Sequence, residues 1–154
     1  MIVQRKRADS KWAAALSGEP AESVSFLLKE AAENTGVKEH IIRSCEGTGR
    51  QNFVQIAALF ELYARTRPLV PHHTVEVGVS AGVSTAYFLS ALHRNGDGVL
   101  NSIYLPEEQL GKRFLPSKNT GWALPPGRKP GWAFPEALKS SWDLRIENSS
   151  EILP

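Results

Sequence analysis

The amino-acid sequence predicts an α/β domain that is built on a parallel β-sheet and preceded by a helical extension. Two observations predict this class. Apolar residues recur with helical spacing through much of the first part of the chain, whereas from His73 onward short β-branched segments alternate with glycine turns. The change divides the chain into an N-terminal helical extension, residues 1–70, and an α/β unit, residues 71–154.

Three helices are predicted in the extension, over residues 20–34, 37–44 and 51–66. In the first of them Val24, Leu28 and Ala31 fall on one face, because they are three or four residues apart. Pro68 and Pro71 are expected to end the third helix, since proline lacks the N–H that would bond to the preceding turn. Residues 45–49 are expected to form a loop between the second and third helices.

The first half of the α/β unit is predicted to be a strand, a glycine turn, a helix and a second strand, in the order Thr74–Val77, Gly78–Gly82, Ser84–His93 and Val99–Leu105. The segment Asn95–Gly98 has the Asn, Asp and Gly residues that favour tight turns. A helix that separates two strands at this spacing is typical of a βαβ unit. Because such crossovers join parallel strands, we expect the two strands to be parallel neighbours.

A long segment rich in Pro, Gly and Trp follows the second strand, over residues 107–141. It contains a near repeat, Gly-Trp-Ala-Leu-Pro at 121–125 and Gly-Trp-Ala-Phe-Pro at 131–135. Loops of this length within a domain are usually functional or disordered, and the paired Trp residues favour an ordered loop. After it, Trp142–Ile146 is predicted to be a third strand, and Asn148–Ser150 to cap a final helix.

Composition and charge restrict the class of protein and its partners. The 154 residues include 18 basic and 16 acidic side chains, and this net charge of +2 does not suit a dedicated nucleic-acid binder. Cys45 is the one cysteine, which excludes an internal disulfide and a cysteine-rich zinc site, and the histidines lack partners at metal-ligand spacing. No apolar stretch approaches the roughly 20 residues of a membrane helix. We therefore expect a cytoplasmic protein that binds no nucleic acid, membrane or metal.

Two common chemistries of a glycine turn fit this sequence poorly. A dinucleotide site has glycines spaced G-x-G-x-x-G, but Ser80 and Val83 stand at the second and third of these positions. Residues 78–82, Gly-Val-Ser-Ala-Gly, match the G-x-S-x-G pattern of a hydrolase nucleophile elbow. That interpretation needs a later histidine beside Ser80, and His93 would lie about 15 Å away along the predicted helix. A Ser-His-Asp triad therefore does not close within this chain.

A third pattern includes the acidic residue before the turn. Residues 76–82, Glu-Val-Gly-Val-Ser-Ala-Gly, read E-x-G-x-x-x-G and resemble the first motif of the class I S-adenosylmethionine-dependent methyltransferases. Further segments follow in the order seen in a bacterial subgroup of that family, at residues 102–106, 131–138, 142 and 149–154. The resemblance covers about residues 51–154 and implies a Rossmann-like parallel sheet of the class I methyltransferase type. Because such sheets have more strands than are predicted here, we expect the sheet to be incomplete and truncated after its third strand.

The resemblance also implies a binding site for S-adenosylmethionine at the carboxyl ends of the strands. Its residues would be Glu76, Gly78, Val79, Ser80, Gly82, Ser84, Tyr104, Asn148 and Ser149. Glu76 would order the ammonium group of the cofactor directly or through water, and backbone N–H groups of Ser80–Ser84 would face its carboxylate. Tyr104 stands where the family usually has an acidic residue for the ribose hydroxyls, and Asn148 where an acidic residue commonly lies near the adenine. No catalytic residue is assigned.

Two functional hypotheses follow from the resemblance. The first is an S-adenosylmethionine-dependent methyltransferase that acts on a small-molecule acceptor. The second is a non-catalytic or degenerate cofactor-binding fragment of that family, which Tyr104 favours because a phenol does not make the two-oxygen contact of a carboxylate with the ribose. An incomplete sheet would also expose an edge strand, which predicts a homo-oligomer formed by pairing with a second chain.

Overall fold

The computed structural model describes residues 18, 20–33, 35–48, 57–105 and 124–152. In chain order the helices and strands are α1 (Ala21–Glu33), α2 (Thr35–Cys45), α3 (Ala57–Leu69), β1 (His73–Val77), α4 (Val83–Asn95), β2 (Val99–Tyr104), β3 (Trp142–Ile146) and α5 (Ser149–Ile152). A 3₁₀ helix, Glu136–Ser141, leads into β3. None of the helices within these ranges is long and apolar enough to cross a membrane.

The three strands form one parallel sheet in the order β1-β2-β3. Glu76 on β1 is aligned with Ser102 on β2, and Leu100 on β2 is aligned with Trp142 on β3. Helix α4 connects β1 to β2 and packs against β2, as the βαβ spacing predicts. The predicted α/β class and the parallel arrangement are confirmed, and the open sheet is compatible with a Rossmann-like fold.

Helix α4 lies at the centre of the packing. It contacts α3 in the extension, β2 in the sheet and the 3₁₀ helix, so its side chains are buried around much of its circumference. Large side chains fully buried in this core include Tyr63, Leu89, Leu92 and Leu100. Helix α1 packs in turn on α3. Helices α1 and α3 of the extension are therefore packed onto the α/β unit through α4.

Polar side chains connect the extension to α4. One oxygen of the Glu30 carboxylate accepts hydrogen bonds from Tyr63 Oη at 2.5 Å and from Arg67 Nε at 2.9 Å, and Arg67 also donates to Asn95. Burial raises the pKa of Glu30, but the bonds from Arg67 and Tyr63 outweigh it, so that the pKa lies below its usual value. Burial and the bond to Glu30 raise the pKa of Tyr63 to about 12. The cluster joins α1, α3 and α4 through one ionised carboxylate.

Two boundaries differ from those predicted from the sequence. Helix α3 does not stop before Pro68 but continues to Leu69. Pro68 lies in the last turn, where its missing N–H removes a single backbone bond, and the chain leaves the helix at Val70 with φ 43°. The predicted loop 107–141 lies partly outside the described residues, and its last six residues form the 3₁₀ helix instead.

The two faces of the sheet have different surroundings. Glu76 and Ser102 lie on the face that α4 covers, and both are buried. On the opposite face Val75 and Val77 are 55% and 58% exposed. Parallel sheets are ordinarily covered on both faces, so the exposure of these two valines is unusual for a parallel sheet.

Candidate functional site

The glycine turn lies between the carboxyl end of β1 and the N-terminus of α4. Its backbone has positive φ at Gly78 (89°), Ser80 (48°) and Gly82 (85°). The N–H of Gly82 bonds to the carbonyl of Val79 at 2.8 Å, and the Gly82 carbonyl then accepts the first helical bond, from Ala86 at 3.0 Å. The strand, turn and helix predicted around this motif are therefore present, with the turn at the carboxyl edge where ligands of open α/β sheets bind.

The second Gly-Trp-Ala segment packs directly on this turn. Gly131 N donates to Ser80 O at 2.9 Å, and Ala133 N donates to Ala81 O at 3.0 Å. A Cβ atom at Gly82 would lie 2.6 Å from Phe134 Cδ1 and 2.8 Å from Gly131 Cα. The repeat, which the sequence indicates to be part of an ordered loop, thus forms one wall of the turn through its backbone.

Glu76 is the one charged residue among the predicted site residues, and it is buried. Only 7% of its surface is exposed, yet three hydroxyl groups donate to its carboxylate. Ser84 Oγ donates to Oε1 at 2.6 Å, whereas Thr85 Oγ1 and Ser102 Oγ donate to Oε2 at 2.7 and 2.8 Å. These donors come from the first turn of α4 and from β2. The carboxylate therefore ties β1 to both neighbouring elements.

Burial and hydrogen bonding act on this carboxylate in opposite directions. Removal from water raises the pKa of Glu76 above its usual value of 4.5, and the hydroxyl donors Ser84, Thr85 and Ser102 offset only part of that rise. A carboxylate has about four lone-pair positions, so two donors fill Oε2 while Oε1, with one donor, keeps a free acceptor position with respect to the described residues. That position lies beside Ser84, which is half-buried.

Three contributors to this site are not among the site residues predicted from the sequence. Thr85 and Ser102 donate to Glu76, and Trp142 Nε1 donates to Ser102 Oγ at 2.8 Å. The signal available in the sequence is alternation: Glu76 and Ser102 are polar residues in neighbouring strands, and they lie on one face of the sheet when the strands are aligned in parallel. That signal requires the alignment of β1 with β2, which the sequence alone does not give.

Tyr104 lies at the carboxyl end of β2, as predicted, but its ring is packed into the fold. Its exposed fraction is 5%, and along the strand it alternates onto the same sheet face as Ser102 and Glu76. Glu107 and Glu108, the nearest acidic residues after the strand, lie outside the described residues. The described end of β2 thus presents no carboxylate for a ribose.

Asn148 and Ser149 form the start of α5. Asn148 Oδ1 accepts from the backbone N of Ser150 at 3.1 Å and from its Oγ at 2.9 Å, while Asn148 Nδ2 donates to Glu151 Oε1 at 3.1 Å. These are the contacts of a helix cap, the role that the sequence also predicts. The amide is therefore engaged locally, and an adenine contact would have to displace or share these bonds.

The structure brings Glu76, Ser80, Gly82 and Ser84 together at one turn, with Gly78 and Val79 as its backbone. Tyr104 ends the adjacent strand and Asn148 follows the third, so the residues predicted from the resemblance lie at the carboxyl ends of successive parallel strands. Within the described part of the chain no group of three His, Cys, Asp or Glu side chains is placed to hold a metal ion.

Comparisons with known proteins assign no relative to this chain. No protein-family model matches the sequence, and neither a curated protein nor a solved structure shows significant similarity to it. The fold class therefore stands on the three-stranded parallel sheet and its connecting helix. A function must be argued from the chemistry of the turn.

Proposed function

We propose that the glycine turn binds the amino-acid end of S-adenosylmethionine, and that the chain is a methyltransferase of the class I type. The observation that carries the proposal is the Glu76 carboxylate at the N-terminus of α4, with one acceptor position of Oε1 open beside Ser84. An α-amino acid has an ammonium and a carboxylate on one carbon. The turn offers an acceptor for the first and helix N-terminal N–H groups for the second.

The residues of the turn fit this group better than they fit a dinucleotide. A pyrophosphate needs a glycine-rich backbone and repels a neighbouring carboxylate, whereas an ammonium group is attracted by one. Among the described residues, no basic side chain is a hydrogen-bond partner of Glu76 or a cause of its pKa shift. A cationic ligand group is therefore the charge that this carboxylate best accommodates.

When bound, S-adenosylmethionine would supply a sulfonium methyl to a nucleophilic atom of a small-molecule acceptor. The contribution of the protein would be alignment, with Glu76, Ser84 and the first N–H groups of α4 fixing one end of the ligand. Ser80, Gly82 and the wall formed by Gly131 would shape the turn around it. No side chain of the described residues is assigned as a base.

A second candidate function is cofactor binding without catalysis. The burial of Tyr104 favours it, because the end of β2 then lacks an acceptor for both ribose hydroxyls. In that case ligands with an amino-acid end would bind, but methyl transfer would not follow. A Tyr104→Asp variant with higher affinity would identify this position as the cause.

Calorimetric titration tests the proposal with three ligands: S-adenosylmethionine, S-adenosylhomocysteine and 5′-methylthioadenosine, which has the adenosine but no amino-acid end. We expect the first two to bind more tightly than the third, and Glu76→Gln to reduce that difference. Glu22→Gln, on the exposed surface of α1, is the matched control and should bind as the native protein does. A folded protein that gives no heat with any of the three at millimolar concentration would contradict the proposal.

A further inference from the structure

A chain of hydrogen bonds crosses the α4-facing side of the sheet and ends on Glu76. Trp142 Nε1 on β3 donates to Ser102 Oγ on β2 at 2.8 Å, and Ser102 Oγ donates to Glu76 Oε2 on β1 at 2.8 Å. Ser102 is fully buried, so its hydroxyl has little access to water. The three side chains therefore link all three strands of the sheet in one relay.

The side chains themselves determine which group donates and which accepts at each bond of this relay. An indole nitrogen only donates, so Ser102 must use its oxygen as the acceptor for Trp142. The single hydroxyl proton of Ser102 is then free to point toward Glu76. With Thr85 as the second donor, both lone pairs of Oε2 are occupied, and the open acceptor position falls on Oε1 beside Ser84.

We propose that Trp142 and Ser102 are positioning residues for the ammonium group of the ligand, which they influence only through Glu76. This inference rests on the proposed function. Without the indole N–H, the Ser102 hydroxyl is free to rotate, and without Ser102 one lone pair of Oε2 is open. In either case Oε2 also offers an acceptor position, and Oε1 is no longer the one open oxygen with respect to the described residues.

A role in packing alone must be separated from this role. The Trp142 ring makes an edge contact with Phe134, with centroids 4.8 Å apart and planes at 83°, and it also lies against Gly131. Changes at Trp142 therefore also disturb the wall of the turn. Ser102→Ala removes the relay but leaves the ring in place, and Ser102→Thr keeps the hydroxyl. Ser90→Ala is the matched control, since it removes a buried serine hydroxyl of α4 that bonds to the Ala86 carbonyl and takes no part in the relay.

The test measures the dissociation constants of S-adenosylhomocysteine and 5′-methylthioadenosine. The ratio of the second constant to the first reports how much the amino-acid end contributes to binding. We expect Ser102→Ala and Trp142→Phe each to reduce this ratio about tenfold, the size of one hydrogen bond to a charged group. Ser102→Thr should keep most of the native ratio. Ser90→Ala should leave the ratio unchanged.

The outcomes distinguish this inference from the proposed function. If the native protein binds neither ligand, the proposed function is wrong. If it binds both with equal affinity, the proposed binding of the amino-acid end at the turn is wrong. If it binds S-adenosylhomocysteine more tightly but folded Ser102→Ala and Trp142→Phe keep the native ratio, the proposed function stands and the positioning role is wrong. Because the two variants break the relay at different atoms, a folded form of either one decides the question.

Discussion

Glu76 is a buried carboxylate that, in the part of the chain the structure describes, is compensated by hydroxyl groups and not by a cation. Three hydroxyl donors replace most of its hydration, but hydroxyls supply partial charges, and desolvation still dominates its pKa. A structural acidic residue is more usually paired with Lys or Arg when buried. A desolvated carboxylate is stabilised by a positive charge beside it, which is the property that the proposed function uses.

The burial of Glu76 predicts a specific pH dependence of stability. Its pKa is raised in the folded state, so the unfolded chain loses the proton first and the contribution of Glu76 to the free energy of unfolding falls as pH rises above 4.5. The native protein should therefore lose stability relative to Glu76→Gln as the pH rises from 4.5 to 7. Urea denaturation at several pH values measures it. A difference that grows in favour of the native protein as the pH rises would contradict the assignment.

Ser80 is expected to be unreactive although it stands in a G-x-S-x-G sequence. Its carbonyl is bonded to Gly131, and the one histidine after it, His93, is exposed near the far end of α4. No base therefore reaches the hydroxyl from the described residues. A fluorophosphonate probe should leave the intact mass unchanged while it labels a serine hydrolase in a parallel sample. Stoichiometric labelling that Ser80→Ala abolishes would restore the hydrolase interpretation.

At the scale of elements, the contact between the glycine turn and the segment 131–134 holds the site in shape. Gly82 adopts φ 85°, and a Cβ there would approach Phe134 and Gly131 to within 2.6 and 2.8 Å. Gly82→Ala should therefore lower the free energy of unfolding by roughly 2–4 kcal/mol, from backbone strain and overpacking together. Gly96→Ala is the control: it has φ 77° but no atom near the added carbon, and should show the strain alone. Chemical denaturation checks both, and equal losses would contradict the packing argument.

The elements that sequence predicts well are those with strong local signals. β1, α4 and β2 follow from β-branched residues, the turn Asn95–Gly98 and helical spacing, and each ends within two residues of its predicted boundary. The partners of Glu76 could not be predicted in the same way. Thr85 and Ser102 are nine and 26 residues away, so their meeting depends on strand register and on how α4 crosses the sheet. The 3₁₀ helix Glu136–Ser141 was also missed, because a single short turn of helix has little periodicity.

At the scale of the whole molecule, the Glu30 cluster should contribute to the stability of the fold. Arg67→Met would remove the hydrogen-bonded cation of a largely buried carboxylate and leave only Arg94, whose Nε lies 3.8 Å from Glu30 Oε2, among the described cations. We expect a loss of roughly 1–3 kcal/mol in unfolding free energy. The loss should be greatest near neutral pH and shrink as the pH falls, because the pKa of Glu30 is lowered in the folded protein. Lys29→Met, in an exposed pair with Glu33, should have little effect. Equal effects of the two variants would show that the cluster is not a structural link.

Strand β1 forms one edge of the sheet among the described strands. His72 O accepts from Val99 at 2.9 Å and Gly78 N donates to Ile103 at 2.8 Å, so the even-numbered residues of this segment bond to β2. By alternation, the N–H and C=O groups of His73, Val75 and Val77 point away from β2. Among the described strands β1 pairs with β2 alone. None of His73, Val75 and Val77 is an acidic residue, Lys or Arg, the residue types that usually protect an edge.

This edge is complementary to itself, so we expect a second copy to pair with it in antiparallel fashion about Val75. A twofold axis there would align Val77 with the partner's His73 and bring no like charges together. Analytical ultracentrifugation should then show a concentration-dependent dimer that Val75→Lys abolishes and Phe26→Lys, on the exposed face of α1, does not. In the dimer the two Val75 Cα atoms would be about 5.5 Å apart, within disulfide range, so Val75→Cys should cross-link on oxidation. A protein that stays monomeric, or a dimer that survives Val75→Lys, would rule out this edge as the interface.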